Sequence, residues 1–165
     1  RGEPDELGIP NSLGRDDAPR GYSTITFNGN QAMVDFKATR RPAGYQLRIH
    51  APQEVKAGID EVTVYANVFN GSRHSKVRMR LGESGPWISL ARTLEADPDF
   101  LALKKREESR RDKLEGMTLP GAVPSQHLWK ASLPVAGRPG THRLWVQTED
   151  MYGRSYDASH VIRIE

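Results

Sequence analysis

The sequence predicts a mainly β protein: an immunoglobulin- or fibronectin-like β-sandwich with an N-terminal extended arm, a hairpin and one inserted helix. Three observations predict it. Short runs of alternating apolar and polar residues recur about every dozen positions, the period of half-buried strands. Asn28-Gly29 separates two such runs, a strong hairpin signal because a type I′ turn needs positive φ at both central residues. Only the stretch opened by Asp97-Pro98 carries helix-start chemistry.

Residues 1–21 hold Pro4, Pro10 and Pro19, few large apolar groups and scattered charge, and read as an arm or interdomain linker. Residues 22–165 read as the sandwich domain. Ser23–Phe27 and Gln31–Phe36 form the opening hairpin. Tyr45–His50 sets Tyr45, Leu47 and Ile49 against Gln46, Arg48 and His50. Glu61–Phe69 puts Val62, Val64, Ala66 and Val68 on one side; Tyr65 and Phe69 on the other predict a partly covered face. Lys76–Leu81 alternates Val77, Met79 and Leu81 with arginines, and Trp87–Leu90 reads as a short strand.

The helix is expected over about 97–114. Asp97 serves as N-cap, Pro98 takes the first helical position, and Asp99 favours the positive end of the dipole. Phe100, Leu101 and Leu103 give its first turn an apolar contact. From Lys104 to Lys113 no large apolar residue occurs, so the rest faces solvent or a polar partner, with Lys104–Glu108 and Glu107–Arg111 as supporting pairs. Strands resume at His127–Leu133, Gly140–Thr148 and Tyr156–Ile164, for about nine in all by this periodic reading.

Bulk properties narrow the function. At 165 residues the chain fits one domain with some peripheral chain. Without cysteine it has no disulfide and no thiolate metal site. No apolar run is long enough to span a membrane. The 24 basic and 21 acidic residues nearly cancel. The densest basic run, Lys104–Lys113, is interleaved with acids, which argues against nucleic-acid binding. The chain starts at Arg1 with no charged-then-apolar leader after it, which reads as a continuation of a longer chain or as a leader already removed.

Motif chemistry is sparse. His50, His74, His127, His142 and His160 show no metal-ligand spacing, and surface or packing roles are expected. There is no Gly-x-Ser-x-Gly elbow and no Gly-Lys-Ser/Thr phosphate loop. Asp97 and Asp99 are explained by the helix start. Asp16-Asp17 lies in the arm with no second acidic partner nearby in sequence. Of Trp87, Trp129 and Trp145, core packing is expected for at least two. The candidate contact residues are Asp17, Arg20 and Tyr22 in the arm, Trp145 of a strand that turns either Leu144 and Val146 inward and Trp145 outward or the reverse, and Asp150, Tyr152 and Arg154 in a polar, aromatic turn.

Several segments, taken together, resemble a known family. They are Gly8-Ile-Pro10, Asp17-Ala-Pro-Arg-Gly-Tyr22, Phe27-Asn-Gly-Asn30, Val64-Tyr-Ala-Asn-Val-Phe69, Trp87-Ile-Ser-Leu90, Asp97-Pro98, Ser125-Gln-His-Leu-Trp129, Leu133-Pro134, Gly140-Thr-His142 and Asp150-Met-Tyr-Gly-Arg154. In this order they resemble the C-terminal domain of bacterial calcineurin-like phosphoesterases over nearly the whole chain. The resemblance implies an exported, periplasmic or secreted parent hydrolase whose catalytic domain, in the same polypeptide, holds two divalent metal ions. The enzyme class's ligand motifs, Asp-x-His, Gly-Asp-x-x-Asp, Gly-Asn-His-Asp/Glu and Gly-His-x-His, do not occur here. No catalytic, metal or cofactor residue is therefore assigned to this chain, and a non-catalytic accessory domain is expected. The alternative is an autonomous module binding carbohydrate or an envelope polymer through an exposed aromatic.

Overall fold

The computed structural model describes residues 14–109 and 118–165. Its first element is a two-stranded antiparallel ribbon, β1 (Gly21–Asn28) and β2 (Gln31–Ala38). Then follow β3 (Leu47–His50), β4 (Glu54–Val55), β5 (Glu61–Val68), β6 (Lys76–Leu81), β7 (Ile88–Ser89) and β8 (Ala91–Thr93). Helix α1 spans Pro98–Glu108, and β9 (Leu128–Pro134), β10 (Gly140–Glu149) and β11 (Ser155–Ile164) complete the described elements.

Two sheets make the sandwich. One is ordered β4-β11-β10-β6-β7, the other β3-β5-β9-β8. Their inner faces carry the alternating apolar residues: Leu47, Val64, Ala66 and Val68 from the second sheet meet Val77, Met79, Leu144, Val146 and Ile162 from the first. Val64, Ala66, Met79, Leu144, Val146 and Ile162 have no exposed surface. At about 1.5–3 kcal/mol per large buried side chain, this layer is the main stabilising term. The expected sandwich is thus present.

Several local expectations change. The hairpin turn is Gly29-Asn30, one residue further on, with Asn28 paired to Gln31. Gly29 has φ +60 while Asn30 is not left-handed, so only the first central position needs glycine. The run Trp87–Leu90 is not one strand. Leu90 turns into the core, and the chain passes from β7 in one sheet to β8 in the other. Asp97 caps α1 as expected, its carboxylate accepting from the backbone N–H groups of Asp99 and Phe100. Of the first turn, only Phe100 is buried; Leu101 is about half exposed. Past Ser109 the rest of the expected helix, residues 110–114, and with it the expected Glu107–Arg111 pair, lies outside the described residues, as do residues 1–13 of the arm. Lys104 pairs with Glu107, at 4.0 Å, rather than with Glu108. Of the tryptophans only Trp129 is in the core; Trp87 is exposed and Trp145 half-buried.

Among the described residues the ribbon is the part that leaves the sandwich. Its register puts Ser23, Ile25 and Phe27 on one face with Phe36, Val34 and Ala32. At the base, Phe36 meets Phe69 edge-on at 6.1 Å and lies over Gly21, where a Cβ would come within 2.5 Å of its ring. Toward the tip that face is bare, with Ile25 54% and Phe27 73% exposed.

Candidate functional site

Strand alternation turns Leu47 and Ile49 of β3 inward and so turns Arg48 and His50 outward. It does the same for Tyr65 and Asn67 of β5. This outer face of the four-stranded sheet is roofed by two pieces. One is the N-terminus of α1, brought down by Asp97. The other is a tight turn at residues 14–18, where Asp17 N–H donates to Gly14 O (3.0 Å) and Gly14 N–H to Ala18 O (3.2 Å). The turn forces Asp17 to φ +60, a left-handed backbone that aspartate tolerates better than most residues. Gly14 leaves room for the Asp16 carboxylate, since a Cβ there would sit 2.6 Å from Asp16 Oδ1 and would have to push it aside.

Under the roof eight polar side chains converge. Asn67 is central and has no exposed surface. Its Nδ2 donates to Asp97 Oδ2 (2.8 Å) and to the Asp16 carbonyl (3.0 Å), and its Oδ1 lies 2.8 Å from His127 Nδ1. His127 Nε2 reaches Asp16 Oδ2 at 3.0 Å. His50 Nε2 is 2.9 Å from Asp97 Oδ2. Its Nδ1 is 3.0 Å from Asp99 Oδ2 but off the line of a good hydrogen bond, so that contact is mainly electrostatic. Asp17, 1% exposed, pairs through Oδ2 with Arg48, and its Oδ1 has no partner.

The network shifts its own protonation. Burial pushes the Asp17 carboxyl up to about 6, and Arg48 only partly offsets it. For His50 burial works against the charge, but the hydrogen bond to Asp97 and the nearby Asp99 carboxylate outweigh it and raise the ring to about 9. The His127 hydrogen bond holds Asp16 down at about 2 against burial. The signs separate by pH. His50 keeps in the fold a proton that the unfolded chain releases near 6.5. Its contribution is therefore complete below about pH 6.5 and is lost as pH rises to about 9. Asp17 acts in the same sense between 3.8 and about 6. Asp16 contributes above 3.8 and loses that contribution as pH falls toward 2. Urea titrations in chelator-containing buffer should show stability falling by on the order of 3 kcal/mol from pH 6.5 to 9. The same window should be nearly flat for His50→Gln; an unchanged slope would remove His50 from this role.

The sequence candidates fall into three places. Asp17 is inside the network; it has no acidic partner nearby in sequence, and the fold brings the distant Asp97 and Asp99 beside it. Arg20 and Tyr22 are exposed at the ribbon base, where the Arg20 carbonyl accepts from Thr39 N–H at 2.8 Å. Asp150, Tyr152 and Arg154 form a clamp on the ribbon. Asp150 accepts from the Tyr152 and Arg154 N–H groups (2.8 and 2.9 Å) and from Arg154 Nε (2.7 Å). Arg154 then pairs with Asp35 and donates to Val34 O (2.9 Å), while Tyr152 Oη accepts from Val34 N–H (3.1 Å). Trp145 stands elsewhere, on the outer face of the five-stranded sheet, its Nε1 donating to Glu83 and Arg143 lying 5.4 Å from its ring.

Sequence reasoning missed His50, Asn67 and His127 as partners. The one available signal was a polar residue, Asn67, between Ala66 and Val68 in an otherwise apolar strand end.

Comparison with known proteins completes the picture. No curated protein matches the chain. Among solved structures, superoxide reductase (neelaredoxin) from Ignicoccus hospitalis is similar at 14% identity and TM-score 0.41, covering 73% of this chain and 81% of that one. The PmoD soluble domain from Methylocystis sp. ATCC 49242 (Rockwell) is similar at 14% identity and TM-score 0.37, covering 86% and 96%. Murine CRIg follows at 11% identity and TM-score 0.29, covering 72% and 96%. These likenesses are too slight to carry an argument about function. The family model described as C terminal of Calcineurin-like phosphoesterase matches residues 1–156. With its sandwich, its ribbon and nearly its whole length inside that match, the chain belongs to the family of C-terminal domains of calcineurin-like phosphoesterases.

Proposed function

We propose that this chain is a non-catalytic accessory domain of an exported calcineurin-like phosphoesterase. It packs against the catalytic domain of the same polypeptide through the free face of the β1–β2 ribbon and borders the substrate cleft. The carrying observation is the ribbon itself. A two-stranded hairpin is marginal in water on its own, yet this one is held at its base by the Arg154–Asp35 pair and the Phe36–Phe69 contact. What the anchorage holds out is an apolar tip, Ile25 and Phe27. An anchored apolar patch that no described residue covers fits a docking surface. Family membership supplies the partner, since a C-terminal phosphoesterase domain has a catalytic domain to meet. The two divalent ions of the hydrolysis belong, in this reading, to that domain.

The binding-module reading has less support. Arg78 and Arg80 lie 4.6 and 4.8 Å from the Trp87 ring, and Arg143 lies against Trp145, so the outward indoles already have cationic partners. The cleft at the ribbon base, lined by Phe36, Gln46, Thr148 and Arg154, measures about 20 Å³, room for about one water.

Phosphodiesterase and phosphomonoesterase assays on the 165-residue chain with Mn²⁺ should give background rates only. Metal-dependent turnover that a point substitution in this chain abolishes would overturn the proposal. So would saturable glycan binding lost with Trp145→Ala.

A further inference from the structure

Asp17, His50 and Asp97 come from three separate segments, the arm turn, β3 and the helix cap. All three are buried, and one ligand atom of each lies within 4.8 Å of the others. We propose that these three side chains bind a single first-row divalent cation, with Zn²⁺ the best fit.

The donor set is one imidazole nitrogen and two carboxylate oxygens, which suits Zn²⁺ better than the all-oxygen preference of Mg²⁺ or Ca²⁺. Three ligands at about 2.1 Å from one ion stand about 3.4–3.6 Å apart, so binding draws the three side chains together by up to roughly 1 Å. A second observation, independent of the clustering, points to a ligand. Asp17 Oδ1 is buried and has no hydrogen-bond partner, in a residue only 1% exposed. An unpaired buried carboxylate oxygen is costly, and a cation is the partner that removes the cost. Arg48 does not compete for it, because the guanidinium holds the other oxygen, Oδ2.

The surroundings also match what a metal-bound histidine uses. His50 Nε2 and Asp97 Oδ2 face each other at 2.9 Å with a proton between them. The cation takes the place of that proton, which leaves to solvent. His50 Nδ1 stays 3.0 Å from Asp99 Oδ2, close enough for a small rotation of the exposed Asp99 side chain to make the carboxylate–histidine–metal arrangement that fixes the ring. Asp97 keeps Oδ1 for the helix cap, accepting from Asp99 N–H at 2.9 Å. Asp99 is 56% exposed in its side chain and gives the ion a way in.

The test uses the 165-residue chain, stripped with chelator and titrated with ZnCl₂ by calorimetry. One Zn²⁺ per chain is expected. Asp17→Asn and His50→Gln should each weaken binding at least about tenfold, while His74→Gln and His142→Gln on the surface leave it unchanged. Should either core variant fail to fold, trace Mn²⁺ added to the wild-type chain decides, by selective broadening of the His50 ring resonances. Absence of stoichiometric Zn²⁺ uptake by the folded wild-type chain would overturn the site. So would binding that survives His50→Gln and is lost in the surface variants, or broadening centred on His74 or His142.

Discussion

Asp97→Ala should destabilise the chain by about 3–5 kcal/mol, the largest loss expected from any single change in the polar network. Four donors converge on this one carboxylate. Oδ1 accepts from the Asp99 and Phe100 backbone, and Oδ2 from Asn67 Nδ2 and His50 Nε2. Truncation removes the helix cap, worth about 0.5–2 kcal/mol. It also leaves an imidazolium and an amide buried with one partner fewer, which is the costlier part. The two losses share one side chain and do not simply add. For a domain of this size the midpoint should fall by roughly 6–20 °C, at about 2–4 °C per kcal/mol. Asp97→Asn keeps an acceptor for the cap and should lose less. Thermal unfolding followed by circular dichroism checks both. A loss below about 1 kcal/mol for Asp97→Ala would mean that the network is relaxed by water and does not pin the helix to the sheet.

The paired change Ile25→Asp with Phe27→Asp should do the opposite. In the isolated chain both side chains are more than half exposed, at 54% and 73%, so stability should move by no more than about 0.5 kcal/mol. If the ribbon docks as proposed, the same change in the parent polypeptide puts two carboxylates into an apolar contact. At about 1.5–3 kcal/mol per large side chain buried, docking should weaken by about 3–6 kcal/mol. A single unfolding transition of the parent should then split into two, one for each domain. A parent that still unfolds in one step at the wild-type temperature would place the contact elsewhere.

Much of the fold was legible because local rules decide it. Lys76–Leu81 has the bounds that its alternation predicts, and Asp97-Pro98 opens the helix as cap chemistry requires. The ribbon was legible too, though its turn moved by one residue, because glycine can serve at either central position of a two-residue loop. The polar network was not legible. His127 and Asp16 are 111 residues apart, and Asp97 and His50 are 47 apart. Each has a sufficient local explanation, as a cap, an arm residue or a strand histidine, so no spacing rule links them. The Trp145 and Trp87 environments were hidden for the same reason. Alternation shows which face a side chain takes, but not that Arg78 and Arg80 of β6 will lie over Trp87, nor that Arg143 of the same strand will lie over Trp145.

Asp150, Tyr152 and Arg154 show how a sequence signal can be read at the right place. They are a polar, aromatic turn, and the turn does make contacts, but the partner it holds is the ribbon of the same chain. It grips Val34 and Asp35 of β2, the strand paired with the one that carries the exposed Ile25 and Phe27. Arg154→Ala, which removes the pair with Asp35 and the bond to Val34, should therefore weaken docking without touching the docking face.

Hydrogen exchange along residues 22–36, compared between the isolated chain and the parent polypeptide, tests the docking role most directly. The ribbon tip should exchange freely in the isolated chain and become protected in the parent, with the sandwich strands unchanged. Equal exchange in the two would contradict it.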